Sequence, residues 1–287
     1  MVNAQDPTTS PWCAERAPAT APADGPPPRP MDIERPAAAR LHDAFLGGSH
    51  NLGVDREFAE RLAGDLPGIG ELFQVDRGFL RRAVEHLLAL GIRQFLDLGS
   101  GIPTIGHVHE VARRRTADLR VLYVDNEPLT VAHSSALLAD EPHAAIIEAD
   151  CRAPKSVLCS PAAEELLDLD RPLGLLMTSV LHFVPDADDP RGLAAEYRDA
   201  LAPGSHLVLA HLADDVQPEV AAVLRREYAG TADPLHPRGT GWIEELFGDF
   251  EVLAPGAVPL ADWRPDPEQV GLARRYRLMH GGVARKP

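Results

Sequence analysis

The sequence predicts an α/β protein built on a doubly wound, mostly parallel sheet. Short apolar runs alternate with helix-spaced segments from residue 79 onward, and the first run opens into the turn Gly99-Ser100-Gly101. The runs are continuous rather than alternating, as strands are when helices cover both faces of a parallel sheet.

Residues 1–30 are dominated by Ala, Pro and Thr and end in Pro26-Pro27-Pro28-Arg29-Pro30. Such a stretch holds too little apolar surface to offset its ordering entropy, so a disordered tail is expected. Residues 31–78 are expected to form a helix, a turn-rich insertion at Gly47-Gly48-Ser49-His50-Asn51 and a second helix. The main domain is expected over 79–287. Phe79, Leu80, Ala83, Val84, Leu87 and Leu88 recur at helical spacing, and Gly91 is placed to stop that helix. Strands are predicted over 94–98, 121–125, 145–149, 173–178 and 206–211, with helices over 104–115, 128–138, 161–167 and 191–201 between them. Beyond 211 come helices over 218–228 and 240–247 and strand candidates over 250–253 and 276–279. These last two strands lack an ordinary helical crossover, which suggests an antiparallel strand closing the sheet edge.

Composition excludes several classes. The 28 Lys+Arg against 43 Asp+Glu give a formal charge of −15, which repels phosphate backbones and argues against a nucleic-acid partner. With 45% apolar residues the chain can bury a sizeable core. Cys13, Cys151 and Cys159 are an odd set with no C-x-x-C spacing, which argues against a disulfide framework or thiolate metal site and toward a reducing compartment. No apolar run reaches the roughly 18 residues of a membrane span, and the N-terminus lacks a signal-peptide pattern. A soluble, cytoplasmic protein without a membrane partner is expected. His107-x-His109 does not place two side chains on one helix face and no carboxylate completes a site, so no metal is expected.

The chemistry concentrates at the strand ends. Phe95-Leu96-Asp97-Leu98 runs into the glycine turn, where a ligand can approach bare backbone. A dinucleotide fingerprint needs a glycine where Thr104 stands, and Pro103 stiffens the turn. Asp97 would repel a pyrophosphate but can accept hydrogen bonds from an ammonium group. S-adenosylmethionine carries an ammonium and a sulfonium and fits better than NAD(P), whose oxidoreductase chemistry is the alternative. Asp125, 26 residues beyond Gly99, ends the second strand beside Asn126 and is placed to accept ribose hydroxyls. Asp150 and Cys151 follow the third strand, the first facing the adenine amino group and the second offering a backbone N–H. Ser100, Ser179 after the fourth strand, Arg77 for the methionyl carboxylate and Asn51 from the N-terminal insertion complete the expected cofactor contacts. Asp55, four residues past Asn51, is read either as a further contact or as a helix cap. His182 after the fourth strand and His211 on the fifth are the candidate bases for an acceptor proton.

These strings resemble the seven-stranded S-adenosylmethionine-dependent methyltransferases: D-L-G-S-G at 97–101, V-D-N at 124–126, A-D-C at 149–151, L-H-F-V-P-D at 181–186 and A-P-G-S at 202–205. More narrowly, the chain is similar to the actinobacterial methyltransferase family catalogued as domain of unknown function 574. Phe45-Leu46-Gly47-Gly48 with Asn51 and Asp55-Arg56, Phe79-Leu80-Arg81-Arg82-Ala83-Val84, Val108-His109-Glu110-Val111-Ala112 and Trp263-Arg264-Pro265 carry that similarity over about 31–283. The resemblance implies a Rossmann-like seven-stranded sheet, S-adenosylmethionine as cofactor and an N-terminal helical lid, but no substrate. His42 and Ala44 stand where the family usually has tyrosines, and Asp76 where it has asparagine. The expected activity is methyl transfer to an O or N atom of a small molecule; those departures leave a non-catalytic, cofactor-binding regulator as a further alternative.

Overall fold

The computed structural model describes residues 12–13, 26–103, 106–116, 118–266 and 275–287. Helices α1 (Ala38–Phe45), α2 (Gly53–Asp65) and α3 (Gly70–Ala89) precede strand β1 (Gln94–Leu98). Then follow α4 (Val108–Arg113), β2 (Arg120–Asp125), α5 (Pro128–Leu137), β3 (Ala144–Glu148), α6 (Pro154–Leu158), α7 (Pro161–Leu166) and β4 (Gly174–Thr178). The chain continues through α8 (Pro190–Asp199), β5 (His206–Leu212), α9 (Pro218–Tyr228), α10 (Thr240–Glu245), β6 (Glu251–Val252), β7 (Val258–Pro259) and β8 (Met279–Arg285). Proline opens five of these helices, α5 to α9, where its missing N–H costs no hydrogen bond.

The strands lie in the order β3-β2-β1-β4-β5-β8-β6, with β7 also on β8. β1 to β5 are parallel and β8 runs antiparallel to β5. Alternate residues feed two cores: Phe95, Val121 and Tyr123 pack on the face carrying α3 and α9, while Leu96, Leu122 and Val124 pack on the face carrying α7 and α8. This is the two-faced burial that the continuous apolar runs require. The long α3 buries the predicted stripe from Phe79 to Leu88 and crosses the expected boundary at 78/79. It ends in a Schellman turn in which Gly91, at φ +91°, lets the Ile92 N–H reach Leu87 O at 3.0 Å.

Two expectations are corrected. The last strand is 279–285 rather than 276–279, and β6 keeps only Glu251 and Val252. Gly281-Gly282 hides β8 from propensity, yet a Cβ at Gly281 would sit 2.0 Å from the Leu209 carbonyl oxygen, so close backbone approach requires the glycine. Second, Cys13 and Cys159 form a disulfide with Cα atoms 5.8 Å apart, and Cys151 is the free thiol. An odd count leaves room for one pair, and partners 146 residues apart meet through tertiary packing that no spacing motif displays. The compartment argument from the thiols falls with it. Of the expected tail over 1–30, residues 1–11 and 14–25 lie outside the described residues; among the described ones Trp12 packs on the second core, and Arg29 bonds Asp233 at 2.6 Å. Among the described residues no helix is long and apolar enough to cross a membrane.

Denatured, unreduced protein is expected to titrate a single thiol per chain, Cys151, and three after reduction. Three thiols before reduction would show the pair to be open in solution. Cys13→Ser should lower unfolding free energy by about 2–4 kcal/mol in urea, since the bridge closes a long loop.

Candidate active site

The sheet order reverses between β1 and β4, and the crevice at the carboxyl ends of the strands opens there. It forms a cavity of about 720 Å³. Gly99 and Gly101, both at φ +65°, make the floor. A Cβ at Gly99 would meet Val180 Cγ2 at 2.4 Å, so the turn excludes any larger residue. Gly99 and Ser100 N–H groups both donate to Val124 O, at 2.8 and 3.1 Å, which ties the turn to β2.

Acids ring that floor. Asp97 lies at the tip of β1, and burial pushes its carboxyl up to about 7, against the opposing pull of Arg77. Asp125 accepts the Gly101 N–H on Oδ2 at 2.9 Å and the Glu127 N–H on Oδ1 at 3.0 Å. Burial nonetheless raises it to about 6. Asp150 is engaged by Arg152, whose NH2 lies 2.7 Å from Oδ2, and by Asn126 at 3.2 Å. Those bonds hold Asp150 below the ordinary carboxylate range despite its burial. The Cys151 thiol is pushed up to about 12 by burial, so it is a packed group and not a nucleophile. Arg77 lines the cavity, and its Nε is buried without a hydrogen-bond partner.

The cavity brings together Arg77, Asp97, Gly99, Ser100, Gly101, Asp125, Asn126, Asp150, Cys151, Ser179 and His182. It does not include Asn51 or His211. Asn51 braces the insertion, donating to Asp43 Oδ2 at 2.8 Å and Gly48 O at 2.9 Å. Asp55 is structural too, capping α2 through the Leu52 N–H at 2.8 Å. His211 is fully buried behind the wall, with Nδ1 2.9 Å from Leu212 O and Nε2 3.2 Å from Arg238. His182 accepts the Leu212 N–H on Nδ1 at 3.2 Å, which places its own proton on Nε2. Burial holds both histidines far toward the neutral form. His107 and His109 both make edge contacts with Tyr123, with His109 Nδ1 2.8 Å from the phenol oxygen.

Other groups at or behind the cavity wall carry no local sequence signal. Arg29 reaches from the N-terminal segment to Asp233, which also accepts the Ala38 N–H at the start of α1 at 2.7 Å. Arg40, fully buried on α1, bonds Asp55 at 2.8 Å and Glu127 at 2.7 Å, locking the N-terminal helices beside Asp125. Ser179, at φ +59°, points its Oγ at Asp76, 2.8 Å away.

A doubly wound sheet with a tight glycine turn, a buried acid just ahead of it at Asp97, a second acid ending the neighbouring strand and Thr104 in place of the third fingerprint glycine fits one class: enzymes that bind S-adenosylmethionine. The comparisons give the particular family. The sequence model of the family described as S-adenosyl methyltransferase matches residues 24–287. A Thermobifida fusca YX structure provisionally labelled a methyltransferase is 38% identical, with a TM-score of 0.83 over 89% of this chain and 96% of that one. A protein of family 574 from Streptomyces avermitilis MA-4680 is 36% identical, with a TM-score of 0.85 over 89% and 99%. No curated protein matches the sequence. The chain belongs to the S-adenosyl methyltransferase family and is an S-adenosylmethionine-dependent methyltransferase of the family 574 type. The NAD(P) and non-catalytic readings are set aside.

Proposed function

We propose that this enzyme methylates an O or N atom of a small molecule. The cavity carries the reading: about 720 Å³ falls in the range of small-molecule sites, and its lining combines acids with apolar residues including Leu72, Phe73, Phe183, Leu224 and Met279. When bound, the cofactor supplies an activated methyl on a sulfonium. Asp125 and Asn126 hold its ribose, Asp97 its ammonium, Arg77 its carboxylate, and the Gly99-Ser100-Gly101 turn lets it approach the backbone. Asp150 and the Cys151 backbone face the adenine. The residues of the apolar wall orient the acceptor in line and exclude water, and alignment of this kind contributes about 7–11 kcal/mol. His182 Nε2–H donates to the acceptor rather than taking its proton, and His211 positions the loop through Arg238. The strongly acidic surface argues for a small acceptor over nucleic acid.

Calorimetry with S-adenosylhomocysteine and NADH, followed by transfer of label from methyl-labelled cofactor to a panel of phenols, alcohols and amines, tests the reading. Binding of NADH in place of S-adenosylhomocysteine would sink it.

The raised carboxyl of Asp97 sets the pH dependence. Its ionised form accepts the ammonium, so cofactor binding expels a proton, and affinity should drop about tenfold per pH unit below about 7. Without ligand, this group's stabilising contribution is full below the ordinary carboxylate range and is lost as pH rises through about 7. Asp97→Asn should bind more weakly at pH 8 and lose most of the slope in calorimetry between pH 6 and 8, while Asp125, raised to about 6, keeps a slope below that.

A further inference from the structure

The two polar departures from the resembled family, His42 and Asp76, meet in space. His42 comes from α1 and Asp76 from α3, and both line the cavity. His42 Nε2 lies 3.4 Å from Asp76 Oδ2, and Ser179 Oγ donates to Asp76 Oδ1 at 2.8 Å. Each carboxylate oxygen thus has one partner, and the carboxylate orients the imidazole. Arg77 NH2 stands 3.5 Å from His42 Nδ1, at the outer limit of a hydrogen bond. Only a donor faces Nδ1, so the ring carries its proton on Nε2 toward Asp76 and its lone pair on Nδ1. The His42 side chain is 21% exposed, and its edge meets Phe73 with ring centroids 5.5 Å apart.

We infer that His42, oriented by Asp76, is the general base of the enzyme and that the acceptor is a hydroxyl on an apolar body, a phenol or alcohol. The inference rests on the methyl-transfer reading above. His182 cannot serve because its Nδ1 is filled by the Leu212 N–H, and His211 lies outside the cavity. A neutral amine has a lone pair for attack without a base, whereas a hydroxyl gains most from losing its proton, which is the work a histidine–carboxylate pair performs. Nδ1 takes the hydroxyl proton. The freed electron pair forms the oxygen–methyl bond while the carbon–sulfur bond breaks to a neutral thioether, and the proton later passes from His42 to water. Asp76 stabilises the imidazolium that forms. Arg77, drawn to the cofactor carboxylate, leaves Nδ1 open to the acceptor.

The charged and titratable groups facing His42 are Asp76 and Arg77 from α3, Asp43 from α1, His107 ahead of α4 and His182 after β4. Burial keeps His42 below its ordinary value, so it is neutral and ready to accept at pH 7. In histidine-labelled protein saturated with S-adenosylhomocysteine, nitrogen NMR should show His42 protonated on Nε2. Asp76→Asn should lower the His42 pKa by about one unit or more. An unchanged value, or the opposite tautomer, overturns the pairing.

Methylation of phenols graded in acidity supplies the second readout. His42→Gln should slow transfer to phenol by about 10²- to 10⁴-fold and approach wild type with para-nitrophenol, already ionised at pH 8. Equal rates for the two proteins across the series overturn the base, with near-wild-type S-adenosylhomocysteine binding showing that the variant is folded. Transfer to amines only, or to none of the panel, by wild type that binds S-adenosylhomocysteine overturns the hydroxyl acceptor. Failure of wild type to bind it overturns the methyl-transfer reading instead.

Discussion

Asp125→Ala is expected to weaken S-adenosylhomocysteine binding by about 10²- to 10⁴-fold. On the proposed reading two charge-assisted hydrogen bonds to the ribose are lost, each worth about 1.5–3 kcal/mol. The carboxylate also shapes the site before any ligand arrives, because it accepts the Gly101 and Glu127 N–H groups on opposite oxygens. Asp125→Asn should therefore resemble Ala rather than wild type. Its amide places an NH2 against one of those two N–H donors, so the turn loosens whichever way the side chain is flipped. Calorimetry gives the affinity, and urea unfolding without ligand gives the cost to the turn, about 1–3 kcal/mol for a buried donor left unpaired. An affinity within threefold of wild type would show that another group holds the ribose. Wild-type stability in Asp125→Asn would show that the turn does not depend on it.

Asp125 also shows how far the sequence can be read. A carboxylate ending an apolar run 26 residues past a glycine turn is a local signal, because strand length, turn chemistry and residue type all lie in adjacent residues. The five parallel strands and the Gly91 stop are legible for the same reason. The Cys13–Cys159 bridge, the Arg29–Asp233 pair and the Arg40 cluster are not, since their partners lie 146, 204 and up to 87 residues apart. Only the packing of α1 and the N-terminal segment on the sheet brings them together. His42 and Asp76 are an intermediate case. Each is visible as an unusual residue, and their pairing needs the crossing of α1 and α3. His211 is misleading in one dimension, since the strand end it occupies faces inward behind the cavity wall.

Arg40→Met should cost about 3–5 kcal/mol of stability, the penalty for stranding buried charge. Arg40 is fully buried and uses its whole fork: Nε on Asp55, NH1 on Glu127 at 2.7 Å and NH2 on Arg35 O at 2.7 Å. Its removal leaves two carboxylates in the interior without a cation, a cost that urea unfolding reads directly. Arg40→Lys should recover little, because a point charge cannot satisfy three acceptors held in a planar fork. The damage should also reach the cofactor. The Glu127 carboxylate accepts the Thr130 N–H at 2.6 Å, capping α5, and the Glu127 N–H supports Asp125 at 3.0 Å. A Glu127 freed from Arg40 therefore loosens the ribose acid. Arg40→Met that stays folded should bind S-adenosylhomocysteine more weakly although Arg40 does not line the cavity. If stability falls and affinity is unchanged, Arg40 anchors the N-terminal helices without shaping the site. If neither changes, the cluster is not the lock that its burial indicates.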